Sequence, residues 1–361
     1  MPFDPTPPPG FPVADARLRP VALWLFGLCG MILVMVTLGG ATRLTGSGLS
    51  IMEWAPLLGT LPPLSDTEWG RLYALYQKIP QYALVNQGFG LDGFKHIFWL
   101  EWAHRFWGRL MGVALLLPLV WFAIRGRIGR GLALRLAGLL VLGGLQGAVG
   151  WFMVASGFAA DSTAVSAYRL VAHLALATGL YAALLWTALG VWRQASGAAA
   201  GRSTAWTRHG LALVCTLVAS TIVAGGFVAG LRAGLTYNSF PFMDGRLVPE
   251  DYAVLQPFYL NFFENIAAVQ FNHRVLATLT AATAACVVLL GLRGASGAPR
   301  AALLTLGAAV LLQYALGVVT LLWAVPVALG AAHQGMAMLL LTISLVSLHI
   351  HIGMAANREV M

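Results

Sequence analysis

The chain has 361 residues, of which 59% are hydrophobic and only 10% are charged. Soluble domains carry about 25% charged residues, so this composition excludes an ordinary soluble domain and indicates a polytopic helical membrane protein. The net charge of +9 does not indicate nucleic-acid binding, because most basic residues fall in loops, where they orient membrane helices. The Pro-rich N-terminus resembles neither a cleaved signal nor a transit peptide, so a bacterial inner membrane is expected.

Apolar windows of about 20 residues predict eight membrane helices, numbered spans 1 to 8. They cover residues 21–42, 98–124, 132–155, 168–192, 208–230, 269–292, 301–323 and 327–350. Arginines concentrate in the N-terminal tail and after spans 2, 4 and 6, so both termini are expected in the cytoplasm and the two long loops outside. The three cysteines lie in apolar segments, which predicts no disulfide and no cysteine metal site.

The second half of the chain repeats the first. Gly39–Ser50 and Gly225–Thr236 both fit G-G-x7-G-L-[ST], at an offset of 186 residues. Three shorter motifs, HR, LQ-x3-G and AH, follow in the same order in both halves. Four spans per copy keep both copies in one orientation, so we expect two four-helix bundles related by a pseudo-twofold axis along the membrane normal. The predicted halves are residues 1–200 and 201–361.

Four histidines occur near the starts of the even-numbered spans, about four to seven residues from the predicted outer end and therefore on the order of 6–10 Å deep. Ionisable groups at such a depth indicate function, and two imidazoles across a four-helix bundle can ligate a haem iron from both faces. The alternatives are unrelated histidines hydrogen-bonded to neighbouring helices, and zinc, which is disfavoured because no cysteine accompanies the pairs. These histidines are His104, His173, His273 and His333.

The remaining histidines fit positions in contact with solvent. His209, His349 and His351 lie at predicted cytoplasmic ends, and His96 precedes span 2. Only His96 is kept as a further candidate.

The two halves differ beside the first histidine, where EWAHR contains Glu101 and QFNHR contains Gln270. Residues i and i+3 share a helix face, so Glu101 is predicted to act near whatever His104 ligates, as a proton relay or a stabiliser of positive charge. The alternative is that Glu101 only pairs with Arg105 or Lys95. The half with the acid and the longer loop is interpreted as the reactive one.

Other polar residues of the repeat have weaker interpretations. Four arginines are candidates for haem propionate contacts, because guanidinium groups suit carboxylates, with lipid headgroups as the alternative. Gln146 and Gln313 lie in mid-helix, where only interhelical hydrogen bonding is expected. The arginines are Arg43, Arg105, Arg109 and Arg274.

The segments GGATRLTGSGLSIMEW, EWAHRFWGR, RLVAHL, QFNHR and AAHQG, in this order on eight spans, resemble the COX15/CtaA family of haem A synthases. The resemblance covers nearly the whole chain from Ala22 to Ile350, and the lack of a loop cysteine pair resembles the proteobacterial and mitochondrial branch. It implies oxidation of the C8 methyl of haem O to a formyl group by two hydroxylations, giving haem A for terminal oxidases.

The resemblance also implies site roles. His273 and His333 would ligate a permanent haem b, His104 and His173 would hold the haem O substrate, and Glu101 would act at its methyl group. Implied partners are an electron donor, haem O synthase, cytochrome oxidase assembly factors, the lipid bilayer and a second copy of the chain.

Two rival functions use the same histidines. A di-haem b-type electron carrier should stack its haems at two depths, whereas the four histidines are predicted at one depth. A haem-binding chaperone without catalysis has little need of Glu101. The sequence favours the synthase over both.

Overall fold

A computed structural model describes residues 14–55, 58–160, 162–197 and 203–353. In this part of the chain the structure is helical, and eight helices are long and apolar enough to cross a membrane. The chain is therefore an all-α multi-pass membrane protein, as predicted. Spans 1 to 8 are the helices Arg19–Leu44, Gly90–Ile124, Arg130–Ala155, Ala167–Ser196, Ala205–Gly230, Ile266–Gly291, Ala298–Leu322 and Val327–Gly353.

Local sequence signals explain several span ends. The hydroxyl of Thr204 accepts the backbone N–H of Thr207 at the start of span 5. The side-chain oxygen of Asn265 accepts the N–H groups of Ala267 and Ala268 at the start of span 6. Both residues are N-caps that satisfy helix donors without an intrahelical partner. Span 4 ends before Gly197, whose φ of 60° suits a residue without a Cβ.

Span 2 begins at Gly90, about two turns before the predicted start at residue 98. The added turns carry the buried Phe94 on one face and the exposed His96 on another. Phe94 packs against Tyr76 of the short helix Asp66–Tyr76. The helix of span 2 thus begins earlier than predicted, and the depth of His104 in the membrane stays a prediction.

Helix contacts follow the repeat. In each half the four spans close a ring, in the order 1-2-3-4-1 and 5-6-7-8-5, and between the halves span 1 packs on span 8 while span 4 packs on spans 5 and 8. Exchanging spans 1–4 with spans 5–8 leaves these contacts unchanged. This pattern is compatible with two four-helix bundles, but the bundle arrangement and the axis stay predictions. The boundary at residues 200 and 201 lies outside the described residues and also stays a prediction.

The apolar core runs between the spans of both halves. Leu25, Leu136, Leu211, Leu303 and Leu341 are among its fully or almost fully buried members. The halves are also joined by a polar contact, a 2.5 Å hydrogen bond between the hydroxyls of Tyr181 and Thr342. The three cysteines are unpaired in the structure: they are Cys29, Cys215 and Cys286.

Two long connections cover one end of the helices. Loop L1, residues 45–89, contains the helices Asp66–Tyr76 and Pro80–Leu84 and packs its aromatic side chains against the start of span 2. Loop L2, residues 231–265, contains short 3-10 turns and a single bridge between Met243 and Arg246. Both loops return to the even-numbered spans that carry the histidines.

Candidate functional site

The structure brings the four span histidines together in pairs. His104 and His173 are close enough for their imidazoles to interact electrostatically, and His273 and His333 form the equivalent pair. Each of the four residues is partly exposed, although each lies within a helix of the bundle. This is the pairing within each half that two axial ligands of one haem require. Ligation itself stays a prediction.

Each imidazole packs against a glycine of the neighbouring odd-numbered span. A Cβ added to Gly39 would lie 2.9 Å from Cε1 of His104, and one added to Gly225 would lie 3.1 Å from that of His273. At Gly150 and Gly317 the corresponding distances to His173 and His333 are both 2.8 Å. Cβ contacts under 3.0 Å are essentially never seen, so a larger residue at Gly39, Gly150 or Gly317 would displace the ring, and one at Gly225 would require His273 to shift by a few tenths of an ångström. The glycines of the repeat therefore provide space for the imidazoles.

Two glutamines contact the histidines of spans 4 and 8. Nε2 of Gln146 lies 3.1 Å from Nδ1 of His173 and donates to the backbone carbonyl of that residue at 2.9 Å. Nε2 of Gln313 lies 3.3 Å from Nδ1 of His333 and donates to its carbonyl at 3.2 Å. From the sequence, these glutamines were expected to form only interhelical hydrogen bonds. Their identical place in the repeat, LQ-x3-G, was visible in the sequence, but it does not show that they contact the histidines.

The donor set fits a haem in each half. Nδ1 of His104 and Nδ1 of His273 are buried and make no hydrogen bond to any described residue. Buried polar nitrogens without a partner are costly, and an iron-ligating imidazole is a neutral ring that gives one nitrogen to the metal. His104 with His173, and His273 with His333, would hold the two irons.

Glu101 is buried and bound to L1. Its Oε2 accepts the backbone N–H and the hydroxyl of Ser50, both at 2.7 Å, and the N–H of Ile51 at 2.9 Å. Its Oε1 accepts from Nε and Nη2 of Arg105 at 3.0 and 2.5 Å. The pairing with Arg105, given as an alternative from the sequence, is present. We call Glu101, Arg105, Ser50 and Ile51 the acidic clamp.

Arg105 extends the acidic clamp along L1. Its Nη2 donates to the carbonyl of Ile51 at 2.7 Å, and its Nη1 donates to that of Glu53 at 3.1 Å. The guanidinium lies 5.6 Å from the ring centroid of Trp151, within cation–π range. The beginning of L1 is therefore joined to span 2 through one charged pair.

The second half has an uncharged equivalent. Nε2 of Gln270 donates to the carbonyls of Ala233 and Thr236 at 2.8 and 2.7 Å. Its Oε1 accepts from Arg274 at 3.0 Å. Thr236 corresponds to Ser50 in the repeat, but L1 presents N–H groups to Glu101 whereas L2 presents carbonyls to Gln270. We call Gln270 and Arg274, with their L2 partners, the amide clamp.

Arg274 reproduces the contacts of Arg105. Its Nη2 donates to the carbonyl of Tyr237 at 2.6 Å and its Nη1 to that of Ser239 at 2.9 Å. Tyr237 and Ser239 are Ile51 and Glu53 shifted by 186 residues. In both halves an arginine thus anchors the long loop. The residue four positions before that arginine is charged in the first half, Glu101, and neutral in the second, Gln270.

The other propionate candidates also contact backbone carbonyls. Arg43 donates through Nη2 to the carbonyl of Ala229, and this hydrogen bond joins the two halves. Ala229 occupies the position in the second repeat that Arg43 occupies in the first. Arg109 donates to the carbonyl of Ala55 at 2.9 Å. All four arginines thus anchor loops or helix ends, and contact with propionates stays a prediction.

An exposed ion-pair network lies farther out on L1. Arg71 donates to both oxygens of Glu53, at 2.9 and 2.8 Å, and to Glu68 at 2.9 and 2.7 Å. These hydrogen bonds hold the pKa of both carboxyls below its ordinary value. The network connects the segment anchored by Arg105 to the helix Asp66–Tyr76.

Two predictions about the remaining histidines are wrong. His349 and His351 are buried, at 7% and 1% exposure, and are not explained by solvent contact. His349 packs edge-on against Trp186, and Nδ1 of His351 lies 2.7 Å from the carbonyl of Ser347. His209 and His96 are exposed, as expected for residues at span ends.

Comparison with known proteins gives one consistent result. Residues 22–345 match the sequence model of the COX15-CtaA family, described as cytochrome oxidase assembly protein. The chain is 65% identical over 329 residues to a protein named heme A synthase from Granulibacter bethesdensis, an alignment that covers 91% of this chain and 86% of that protein. Proteins of the same name from Nitrosospira multiformis (45% identity, 91% and 92% covered) and Parvibaculum lavamentivorans (44% identity, 93% and 95% covered) are also similar.

Proposed function

Because the chain belongs to the COX15-CtaA family of cytochrome oxidase assembly proteins, we propose that it is a haem A synthase. The reaction is oxidation of the C8 methyl group of haem O to a formyl group by successive hydroxylations, which makes the chain an oxidoreductase. The support is the shared name of relatives that align with most of the chain, at up to 65% identity among those compared.

The observation that carries the proposal is the asymmetry between two otherwise equivalent histidine pairs. Both pairs have the same glycine cradles and the same glutamine contacts. They differ in the residue one turn before the first histidine, which is the buried Glu101 in one half and Gln270 in the other. An electron carrier needs only the shared features, whereas a reaction at one porphyrin requires a difference between the halves.

The C-terminal half is proposed to hold the permanent cofactor. His273 and His333 would be the axial ligands of haem b, which supplies one-electron transfer when bound. In the amide clamp the neutral Gln270 takes the place of the carboxylate Glu101, so this half resembles a simple redox site. The chain's own part here is to hold two neutral imidazoles against Gly225 and Gly317.

The N-terminal half is proposed to hold the substrate. His104 and His173 would bind the iron of haem O, and Glu101 would supply negative charge near the methyl group that reacts. Oε2 of Glu101 accepts hydrogen bonds from L1, and Oε1 accepts them from Arg105. The carboxylate therefore orients L1 at the site, and it must exchange one of these donors to contact the substrate itself.

The membrane placement and the partners form part of the same proposal. We propose a bacterial inner membrane with both termini in the cytoplasm and the histidine pairs near the outer face, as the distribution of loop arginines predicts. A separate donor supplies electrons, and haem O synthase, cytochrome oxidase assembly factors and a second copy of the chain are the candidate protein partners.

Haem extraction from membranes tests the function directly. The chain is expressed together with a haem O synthase in cells that make no haem A, and the extracted haems are separated and identified by mass. Haem A in these membranes, and only haem O in a matched strain without the chain, is the expected result. Membranes that contain haem O alone in both strains would overturn the proposal.

A further inference from the structure

The double glycine of span 1 contacts side chains from both halves of the chain. A Cβ added to Gly39 would meet the imidazole of His104, in the same half. A Cβ added to the next residue, Gly40, would lie 2.9 Å from Cδ of Gln334, which belongs to span 8 of the other half. The amide of Gln334 also donates from Nε2 to the carbonyl of Val36 at 3.0 Å. One turn of span 1 therefore lies between a proposed haem ligand and a glutamine of the opposite half.

The double glycine of span 5 is arranged in the same way. Gly225 packs against His273 of its own half. A Cβ added to Gly226 would lie 3.1 Å from Cδ2 of Leu174, which belongs to span 4 of the N-terminal half. Leu174 has the repeat position of Gln334, directly after the second histidine of its pair. In both copies this residue thus packs beside the glycine that contacts the first histidine of the other pair.

We propose that Gln334 and Leu174 are positioning residues for the haem in the opposite half. This inference rests on the proposed function, because it requires a haem at each histidine pair. Gln334 acts on the N-terminal pair by holding the turn of span 1 against which His104 packs. Leu174 acts on the C-terminal pair through the equivalent turn of span 5. Each haem site is then built from residues of both halves.

The contacts of Gln334 explain why its effect crosses to the other half. Although it follows His333 in the chain, its side chain packs on a glycine of span 1 and forms its hydrogen bond with span 1. His333 contacts Gly317 and Gln313 of its own half instead. Adjacent residues of a helix point about 100° apart, so these two side chains face different neighbours.

The two copies differ in the nature of this contact. Gln334 donates a hydrogen bond to a helix carbonyl, which has two acceptor positions, whereas Leu174 has no polar atom in its side chain and only packs. A hydrogen bond of this kind changes an equilibrium by roughly two- to ten-fold. The N-terminal pair, where the substrate is proposed to bind, therefore has the more directional support.

Two substitutions test the crossed arrangement after expression with a source of haem O. Gln334→Leu places the residue of the other half at this position and removes the hydrogen bond to Val36. Retention of haem O or haem A at the N-terminal pair should fall by roughly two- to ten-fold, while haem b is kept. Leu174→Ala removes the packing against Gly226 and should instead reduce haem b. The readouts are the content of each haem per purified chain and the low-spin resonance signal of each haem.

Gly30→Ala is the control on span 1, because a Cβ at this position meets no atom within 4 Å, and both haems should remain as in the wild type. Loss of haem b in Gln334→Leu, loss of the N-terminal haem in Leu174→Ala, equal loss of both haems, or no change would overturn the proposal. Should Gln334→Leu fail to fold, the haem that changes in Leu174→Ala still decides. If the purified wild type binds no haem, the proposed function fails, and this is distinct from two bound haems without crossed effects.

Discussion

Ser50 donates hydrogen bonds from both its backbone N–H and its hydroxyl to one oxygen of Glu101, and both bonds are 2.7 Å long. A residue of L1 and a residue of span 2, fifty-one positions apart in the chain, are thereby joined one turn from His104. Charge-assisted hydrogen bonds of this kind are about twice as strong as neutral ones. The acid that distinguishes the two halves is therefore also the residue that attaches L1 to the helix of the site.

Glu101→Gln should release the beginning of L1. An amide has one oxygen and one NH2 group, so it cannot accept from Ser50, Ile51 and Arg105 together, and its NH2 must face one of these donors. Breaking a buried charged pair in this way costs on the order of 3 kcal/mol. Hydrogen exchange at residues 48–53 should become faster than in the wild type, while spans 5 to 8 should keep their protection.

Glu250→Gln is the matched control, because Glu250 lies in L2 and its ion pair with Arg246 is largely exposed. This substitution should leave exchange unchanged, since exposed pairs contribute about 0–1 kcal/mol. The reverse exchange, Gln270→Glu, should loosen L2, because a carboxylate would then face the carbonyls of Ala233 and Thr236. Unchanged protection of L1 in Glu101→Gln would contradict the role assigned to the acidic clamp.

Gly317→Ala should weaken haem b binding. The new Cβ would lie 2.8 Å from Cε1 of His333, so the ring must move away from its position. Changes around metal-binding histidines typically cost 10–100-fold in affinity or activity, and we expect retention of haem b to fall about ten-fold. The haem b content per purified chain measures the effect.

Gly307→Ala controls for the substitution itself on the same span. Its Cβ would lie 3.4 Å from Val288, an ordinary contact, and alanine is favoured over glycine in a helix interior by about 1 kcal/mol. Full haem b content is expected in this variant. Equal loss in both variants would show that the fit between His333 and Gly317 has no special part in haem binding.

The attachment of the helix Asp66–Tyr76 to L1 should depend on pH only in acid. The pKa values of Glu53 and Glu68 lie below their ordinary value of 4.5 because Arg71 donates to both. The stabilisation is thus complete above about pH 4.5 and is lost as the pH falls through the lowered values. It amounts to at most about 1 kcal/mol, since the three side chains are nearly half exposed.

Limited proteolysis of L1 in membranes between pH 3.5 and 8 checks this expectation. Cleavage should be constant from pH 5 to 8 and should increase below pH 4.5, with high salt reducing the difference. The variant Arg71→Ala should lack the acid-dependent step. A step near pH 6 to 7, or the same step in Arg71→Ala, would assign the effect to other groups.

The sequence predicted the eight spans, because apolar length is a local signal, and the two-copy repeat showed that the four span histidines occupy equivalent positions. Their roles as iron ligands stay predictions. The sequence placed the start of the span 2 helix about two turns too late, since the side chains of the added turns pack against L1. It also misjudged His349 and His351, whose burial depends on how other spans pack around the end of span 8. Periodicity within one helix contains no information about such packing.

The contacts of the clamps depend on how the long loops fold back onto the spans. That Glu101 and Arg105 could pair was evident from their spacing, but their bonds to Ser50 and Ile51 join residues that no local pattern connects. The contacts of the two glutamines with the histidines could be predicted only in part. Their place in the repeat was visible, but only the packing of span 3 on span 4 and of span 7 on span 8 brings Gln146 and Gln313 to the rings.

The central claim is that the two halves hold different haems for different purposes. It is tested most directly by the pigments of three purified forms, the wild type, Glu101→Ala and His273→Ala, after expression with a source of haem O. We predict haem b and haem A in the wild type, haem b with haem O or its hydroxylated form in Glu101→Ala, and loss of haem b in His273→Ala. A wild type that holds haem b and never converts haem O would contradict the account.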